Sequence, residues 1–152
     1  LPIATGMALA RKKIKKKGKI YILISDGECQ EGTTWESLLI GSKHKLNNLV
    51  IIVDYNKIQA LTKLDDALPL KNLYSKFKSF NCNCINIQNG HSFQEILKGF
   101  NKINSKKYFL PTVLIINTIK GKGIKEFEND PIWHARQVTE KDILIAKQRL
   151  GF

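Results

Sequence analysis

Two short apolar runs constrain this chain most. Tyr21-Ile22-Leu23-Ile24 leads into Ser25-Asp26-Gly27-Glu28, and Leu49-Val50-Ile51-Ile52-Val53 leads into Asp54-Tyr55-Asn56-Lys57-Ile58. Each run is apolar throughout and rich in β-branched residues, the pattern of a strand covered on both faces of a parallel sheet. Each carries oxygen-bearing side chains at its carboxyl end, where open α/β sheets bind ligands. Asp26 and Asn56 together offer a carboxylate and an amide oxygen, hard donors suited to Mg²⁺ or Ca²⁺. Gly27 lets backbone N–H groups approach a phosphate with no side chain in the way.

The rest of the chain alternates helical and strand patterns. Ile3, Met7, Ala10 and Ile14 predict an opening helix stopped by Gly18, followed by a strand over residues 19–24. Thr33, Thr34 and Glu36 open a helix that carries Trp35, Leu38, Leu39 and Ile40 toward Leu46, and a second strand covers residues 49–54. Residues 59–68 show no clean period and read as a loop. Pro69 stands where a helix can begin, with Leu70, Leu73, Tyr74 and Phe77 as its apolar face. A short strand over 84–87 precedes the turn Asn89-Gly90-His91, and Ser92 with Glu95 forms the pattern of a capping box for a helix through Ile103. Pro111 introduces a strand over 112–119, the chain is irregular after Gly121 and Gly123, and Thr139 and Asp142 open a last helix closed by Gly151. Strands alternating with helices predict an α/β fold: one doubly wound parallel sheet with helices on both faces, forming a single domain over residues 1–152.

Composition narrows the setting. No apolar run approaches the roughly 20 residues that a membrane helix needs. The basic cluster beginning Arg11-Lys12-Lys13 follows the apolar opening, the reverse of a secretory signal, so a cytoplasmic location is expected. Cys29, Cys82 and Cys84 are odd in number and lack a second pair for zinc, and they read as reduced thiols. Net charge is +12, from 25 basic and 13 acidic residues, which raises a nucleic-acid-binding reading. The lysines are spread through the chain and are not interleaved with aromatic residues as a stacking surface requires. The dense run at 11–17 reads as a solvated helix end, favoured by the helix dipole, while the overall field attracts phosphorylated sugars and diphosphates.

An ordered series of segments narrows the reading further. Ser25-Asp26-Gly27-Glu28-Cys29-Gln30-Glu31-Gly32, Trp35-Glu36, His44-Lys45-Leu46-Asn47-Asn48-Leu49, Asp54-Tyr55-Asn56-Lys57-Ile58-Gln59, Lys120-Gly121-Lys122-Gly123 and Asn129-Asp130-Pro131-Ile132-Trp133-His134 together resemble transketolase, most closely the amino-terminal subunit of the two-subunit enzymes. Asp26-Gly27 and Asn56 look like the thiamine-diphosphate signature, normally Gly-Asp-Gly…Asn, with Ser25 in place of the first glycine.

The resemblance implies a thiamine-diphosphate-binding fold. In it Asp26, Asn56 and the Ile58 carbonyl ligate Mg²⁺, or Ca²⁺, Gly27 gives its N–H to the diphosphate with Glu28 beside it, and Lys120 pairs with phosphate. His134 implies a group that stabilises an oxyanion or relays a proton beside the cofactor, although Ala135 and Val138 depart from the family's usual residues there. Glu31 and Glu36 imply acids at a subunit interface. Read without the resemblance, Asp26 is a helix N-cap, Asn56 a turn residue, His134 a surface histidine, and Glu31 and Glu36 are acids favoured by a helix N-terminus. His44 and His91 read as structural.

The implied activity is transfer of a two-carbon ketol unit between sugar phosphates. Such catalysis needs a glutamate from a pyrimidine-binding domain, which no segment here resembles, so a partner chain and an oligomeric assembly are implied. Leu1-Pro2-Ile3-Ala4-Thr5-Gly6-Met7-Ala8 resembles the family stretch that follows a Gly-His-Gly segment, implying a diphosphate-binding domain that lacks its amino-terminal part. Three other readings compete. One is part of a different thiamine-diphosphate enzyme: a specialised sugar-pathway transketolase, or one like deoxyxylulose phosphate synthase or a dehydrogenase. The others are a basic nucleic-acid-binding module and an inactive scaffold.

Overall fold

In the computed structural model, which describes residues 1–105 and 108–152, four strands form one parallel sheet. They are β1 (Ile20–Ser25), β2 (Leu49–Tyr55), β3 (Asn83–Ile87) and β4 (Thr112–Asn117), in the spatial order β1-β2-β4-β3. The register pairs Ile24 with Val53 and Val53 with Ile115, so the carboxyl ends of β1, β2 and β4 lie side by side.

Alternation along the strands separates two cores. Leu49, Ile51 and Val53 of β2 and Val113 and Ile115 of β4 point into one core, while Val50 of β2 and Leu114 and Ile116 of β4 point into the other. The first core is covered by α1 (Pro2–Lys13), α2 (Gly32–Lys43) and α4 (Leu73–Ser79) through Ala4, Ala8, Leu38, Leu73 and Phe77. The second is covered by α5 (Phe93–Ser105) through Ile103 and Phe100. The topology accounts for this division. The chain steps from β1 to β2 and on to β3 in one direction, then turns back to β4. With right-handed crossovers, that reversal sends the last crossover helix to the opposite face. A one-turn helix, α3 (Leu64–Ala67), and a terminal helix, α6 (Glu140–Leu150), complete the chain. The doubly wound α/β architecture with helices on both faces is therefore present.

Several local readings change. The residues 59–68 expected as loop contain α3, and Leu64 is fully buried. Its burial rests on one apolar anchor, too little to create a period. The helix expected near Pro69 starts at Leu73, because Asn72 accepts the Ser75 amide at 3.0 Å and caps it there. α1 forms but ends at Lys13, and its expected apolar face is the exposed one, with Ile3 at 82% exposure. Ala4, Thr5 and Ala8 are buried instead, since small side chains allow close approach to the sheet. β4 stops at Asn117 rather than at residue 119. The Ser92–Glu95 box forms by half: the Ser92 hydroxyl accepts the Glu95 amide at 3.3 Å, but the Glu95 carboxylate reaches Asn89 N, because Ser92 N already donates to Asn89 O. The Thr139–Asp142 box is complete, and Gly151 ends α6 at φ 78°. Burial pushes the Cys29 and Cys82 thiols up to about 12 and Cys84 to about 11, so all three stay protonated at neutral pH. Among the described residues, no helix is long and apolar enough to cross a membrane.

Candidate functional site

At the carboxyl end of β1 the chain enters a 3-10 turn, Gly27–Gln30. Ser25 and Glu28 hold that turn. The Ser25 hydroxyl accepts the Glu28 amide at 3.2 Å, and the Glu28 carboxylate accepts the Ser25 amide at 2.8 Å. Asp26 occupies the N-cap position, yet its side chain caps nothing. Instead its carboxylate reaches across to the next loop and accepts the Lys57 amide at 2.6 Å. The N-cap reading of Asp26 therefore fails, because its oxygen is turned to the tip of β2.

Asp26 is only 2% exposed. Burial raises its pKa, backbone N–H groups of Lys57 and Gly27 oppose the rise, and the neighbouring Asp54 charge adds to it. A buried carboxylate beside a second carboxylate is a place where a cation is stabilising.

The β2 tip supplies the other donors. The Asn56 carboxamide oxygen accepts the Ile58 amide at 2.9 Å, an Asx turn, so the turn reading of Asn56 holds as local geometry. A carbonyl oxygen has two lone pairs, and the turn uses one. Among the described residues no N–H donates to the Ile58 carbonyl. Asp26, Asn56 and Ile58 also line one cavity of about 450 Å³ with Gly27, Lys120 and His134.

His134 reaches this cavity from a distant segment. It ends a 3-10 turn, Pro131–His134, whose Asp130 cap accepts the Ile132 amide at 3.0 Å. Trp133 packs on Phe127 with ring centroids 4.0 Å apart, and the Arg136 guanidinium lies 4.2 Å from the Trp133 ring centre. Lys120 follows the end of β4, and its ammonium is 3.4 Å from His134 Nδ1. An ammonium only donates, so this contact is a hydrogen bond in the tautomer that carries its proton on Nε2.

Most of the expected residues meet, and two stand apart. Glu31 also lines the cavity. Glu28 is not among the lining residues, its carboxylate being turned back on Ser25. Glu36 lies exposed on α2, away from the cavity. His91 has a structural partner, its Nε2 accepting the Ile119 amide at 2.8 Å; His44 contacts Lys12 Nζ through its backbone carbonyl at 2.8 Å, not through its ring. Residues not foreseen at the site are Asp54, Gln30, Gln59 and Ala60. The position of Asp54, two residues before Asn56 at the end of a strand, was the available signal.

The family model for the transketolase thiamine diphosphate binding domain matches residues 4–152. The chain belongs to the transketolase family. It is 37% identical over 152 residues to an apulose-4-phosphate transketolase subunit of Actinobacillus succinogenes, a match covering 99% of this chain and 53% of that protein. It is 33% identical over 138 residues to the 6-deoxy-6-sulfo-D-fructose transketolase subunit SqwG of a Clostridium species, covering 91% of this chain and 50% of that one. Among solved structures, Campylobacter jejuni transketolase superposes with a TM-score of 0.88 at 30% identity, over 98% of this chain and 24% of the enzyme. The chain thus spans about half the length of the subunit relatives and about a quarter of the Campylobacter transketolase.

The transketolase-family cofactor and its metal can be tested against the residues present. Among the described residues no three His, Cys, Asp or Glu side chains converge, which leaves out sites built of cysteine and histidine. One carboxylate, one carboxamide oxygen and one main-chain carbonyl at a single cavity form an all-oxygen set suited to Mg²⁺ completed by phosphate and water. Gly27 begins the 3-10 turn with no Cβ facing the cavity. The donors fit.

Proposed function

We propose that this chain is the diphosphate-binding half of a two-subunit transketolase that moves a two-carbon ketol unit between sugar phosphates. When bound, thiamine diphosphate supplies a thiazolium electron sink for that transfer. Asp26, Asn56 and the Ile58 carbonyl hold Mg²⁺, and Gly27 N–H and Lys120 hold the diphosphate. His134 donates from Nε2 to a developing oxyanion, and Lys120 keeps it in that tautomer. A partner chain supplies the glutamate needed to activate the cofactor, and the active site lies between the two chains. The assembly works in the cytoplasm.

One observation carries this reading: the Asp26 carboxylate bonds the Lys57 amide at 2.6 Å, which brings the tips of β1 and β2 to one point at the carboxyl edge of the sheet. Calorimetry with thiamine diphosphate and Mg²⁺ tests it. Asp26→Ala is expected to abolish Mg²⁺-dependent binding while leaving the fold intact by circular dichroism; unchanged affinity overturns the assignment.

A specialised sugar is a second reading, supported by two subunit relatives that act, by their names, on apulose 4-phosphate and 6-deoxy-6-sulfo-D-fructose. Glu31 and Glu36 belong to the interface between chains in this reading. Glu36 shares the exposed side of α2 with Leu39 and Ile40, apolar side chains that contact with another chain would bury.

A further inference from the structure

We propose that Asp54 is a positioning residue of the cation site, fixing the rotation of the Asn56 carboxamide so that its oxygen rather than its NH₂ faces the metal. The inference rests on the cofactor reading above and adds residues that reading does not include.

Asn56 Nδ2 donates to Asp54 Oδ2 at 3.3 Å, and Asn56 Oδ1 accepts the Ile58 amide at 2.9 Å. Turning the carboxamide over sets oxygen against the Asp54 carboxylate and NH₂ against the Ile58 N–H, so both contacts become repulsive. The orientation is therefore fixed from two sides. Asp54 is braced in turn: the Thr118 hydroxyl donates to its Oδ1, and Thr118 N donates to Tyr55 O at 3.3 Å. Thr118 lies two residues before Lys120, and His91 Nε2 accepts the intervening Ile119 amide. One carboxylate thus joins the loop that presents the amide oxygen to the strand end that presents Lys120. Asp54 lines the cofactor cavity and also a neighbouring cavity of about 490 Å³, so it stands between the two.

A mutant cycle separates orientation from charge and from general stability. Mg²⁺ is titrated calorimetrically into the chain with thiamine diphosphate present, and circular dichroism reports the fold. Asp54→Ala is expected to weaken Mg²⁺ about tenfold, the low end of the range for outer-shell partners, because the Ile58 amide still holds the oxygen. Thr118→Val gives a smaller loss, about threefold. Asp54→Asn keeps an acceptor for the Asn56 NH₂ and is expected to lose clearly less than Asp54→Ala, about threefold, the part due to the removed charge. In an Asn56→Asp background either oxygen serves the metal, so adding Asp54→Ala costs under about threefold.

An Asp54→Asn loss equal to that of Asp54→Ala shows that charge, not orientation, matters and overturns the proposal. So does an Asp54→Ala loss that is the same with Asn or Asp at position 56. Should Asp54→Ala match the parent while Asp26→Ala abolishes binding, the Asp54 role falls and the cofactor reading stands. Absence of Mg²⁺-dependent binding by the parent chain overturns both.

Discussion

Gly90 shows how a missing side chain sets the distance between the 89–91 turn and the end of β4. Its amide donates to Asn117 O at 2.7 Å, and a Cβ built there lies 2.6 Å from that same oxygen and 2.6 Å from Ile116 Cγ2. Gly90→Ala must push the turn off the end of β4 and pull His91 from the Ile119 amide. Urea denaturation is expected to show a loss of about 1–3 kcal/mol, the range for overpacking. His134 makes a different prediction, because its proposed role is in the reaction rather than in the fold. In the complete enzyme His134→Ala is expected to lower kcat/KM by at least about 10²-fold, while Mg²⁺-dependent cofactor binding is nearly unchanged. An equal loss of cofactor affinity would make His134 a binding residue.

At the scale of elements, the start of α6 controls where His134 sits. Thr139 and Asp142 exchange side-chain and backbone bonds, and Asp142 pairs with Arg136 at 2.5 Å. Arg136 covers Trp133, the neighbour of His134. The Thr139 hydroxyl, then the Thr139 amide, then Arg136 hold the Asp142 carboxyl down at about 2 from its ordinary 3.8. A carboxyl lowered on folding stabilises the native state above its unfolded pKa, and that contribution drains away as pH falls through the folded one. Melting temperatures are therefore expected to fall between pH 3.8 and about 2 in part through this residue. Asp142→Asn, which does not titrate, flattens that part of the profile, and an unchanged profile would place the acid sensitivity elsewhere.

For the molecule as a whole, the sheet is covered unevenly. α5 packs over β3 and β4, while on the same face Leu23 of β1 is 68% exposed and Tyr21 48%. Parallel sheets in folded proteins have both faces covered, so Leu23 is an apolar side chain that gains nothing from its position in this chain. Leu23→Ser is expected to change stability by no more than about 0.5 kcal/mol, as at other exposed sites, and to reduce binding of a hydrophobic dye. A loss of several kcal/mol would show that Leu23 is buried in solution. The same scale governs activity: the chain alone is expected to transfer no ketol units, and activity should appear only on adding the partner that carries the activating glutamate.

The central strands β2 and β4 were legible because a strand buried on both faces must be apolar at nearly every position; β1 carries the same apolar pattern, but its expected cover on both faces is absent in this chain, where Tyr21 and Leu23 are exposed. The spacing of Asp26 and Asn56 followed, since both stand at strand ends. The caps at Thr139 and Gly151 were legible for a similar reason, as they involve residues close in sequence. α3 and the buried side of α1 were not, because burial there depends on single or small side chains whose partners lie elsewhere in the chain. Sequence alone determined which side chains stand at the carboxyl edge of the sheet. The tertiary structure alone decided how they are aimed: Asp26 across to Lys57, Glu28 back onto Ser25, His134 against Lys120. The physical reason is that direction depends on which donor a neighbouring loop presents, and that loop is placed by packing over tens of residues rather than by local pattern.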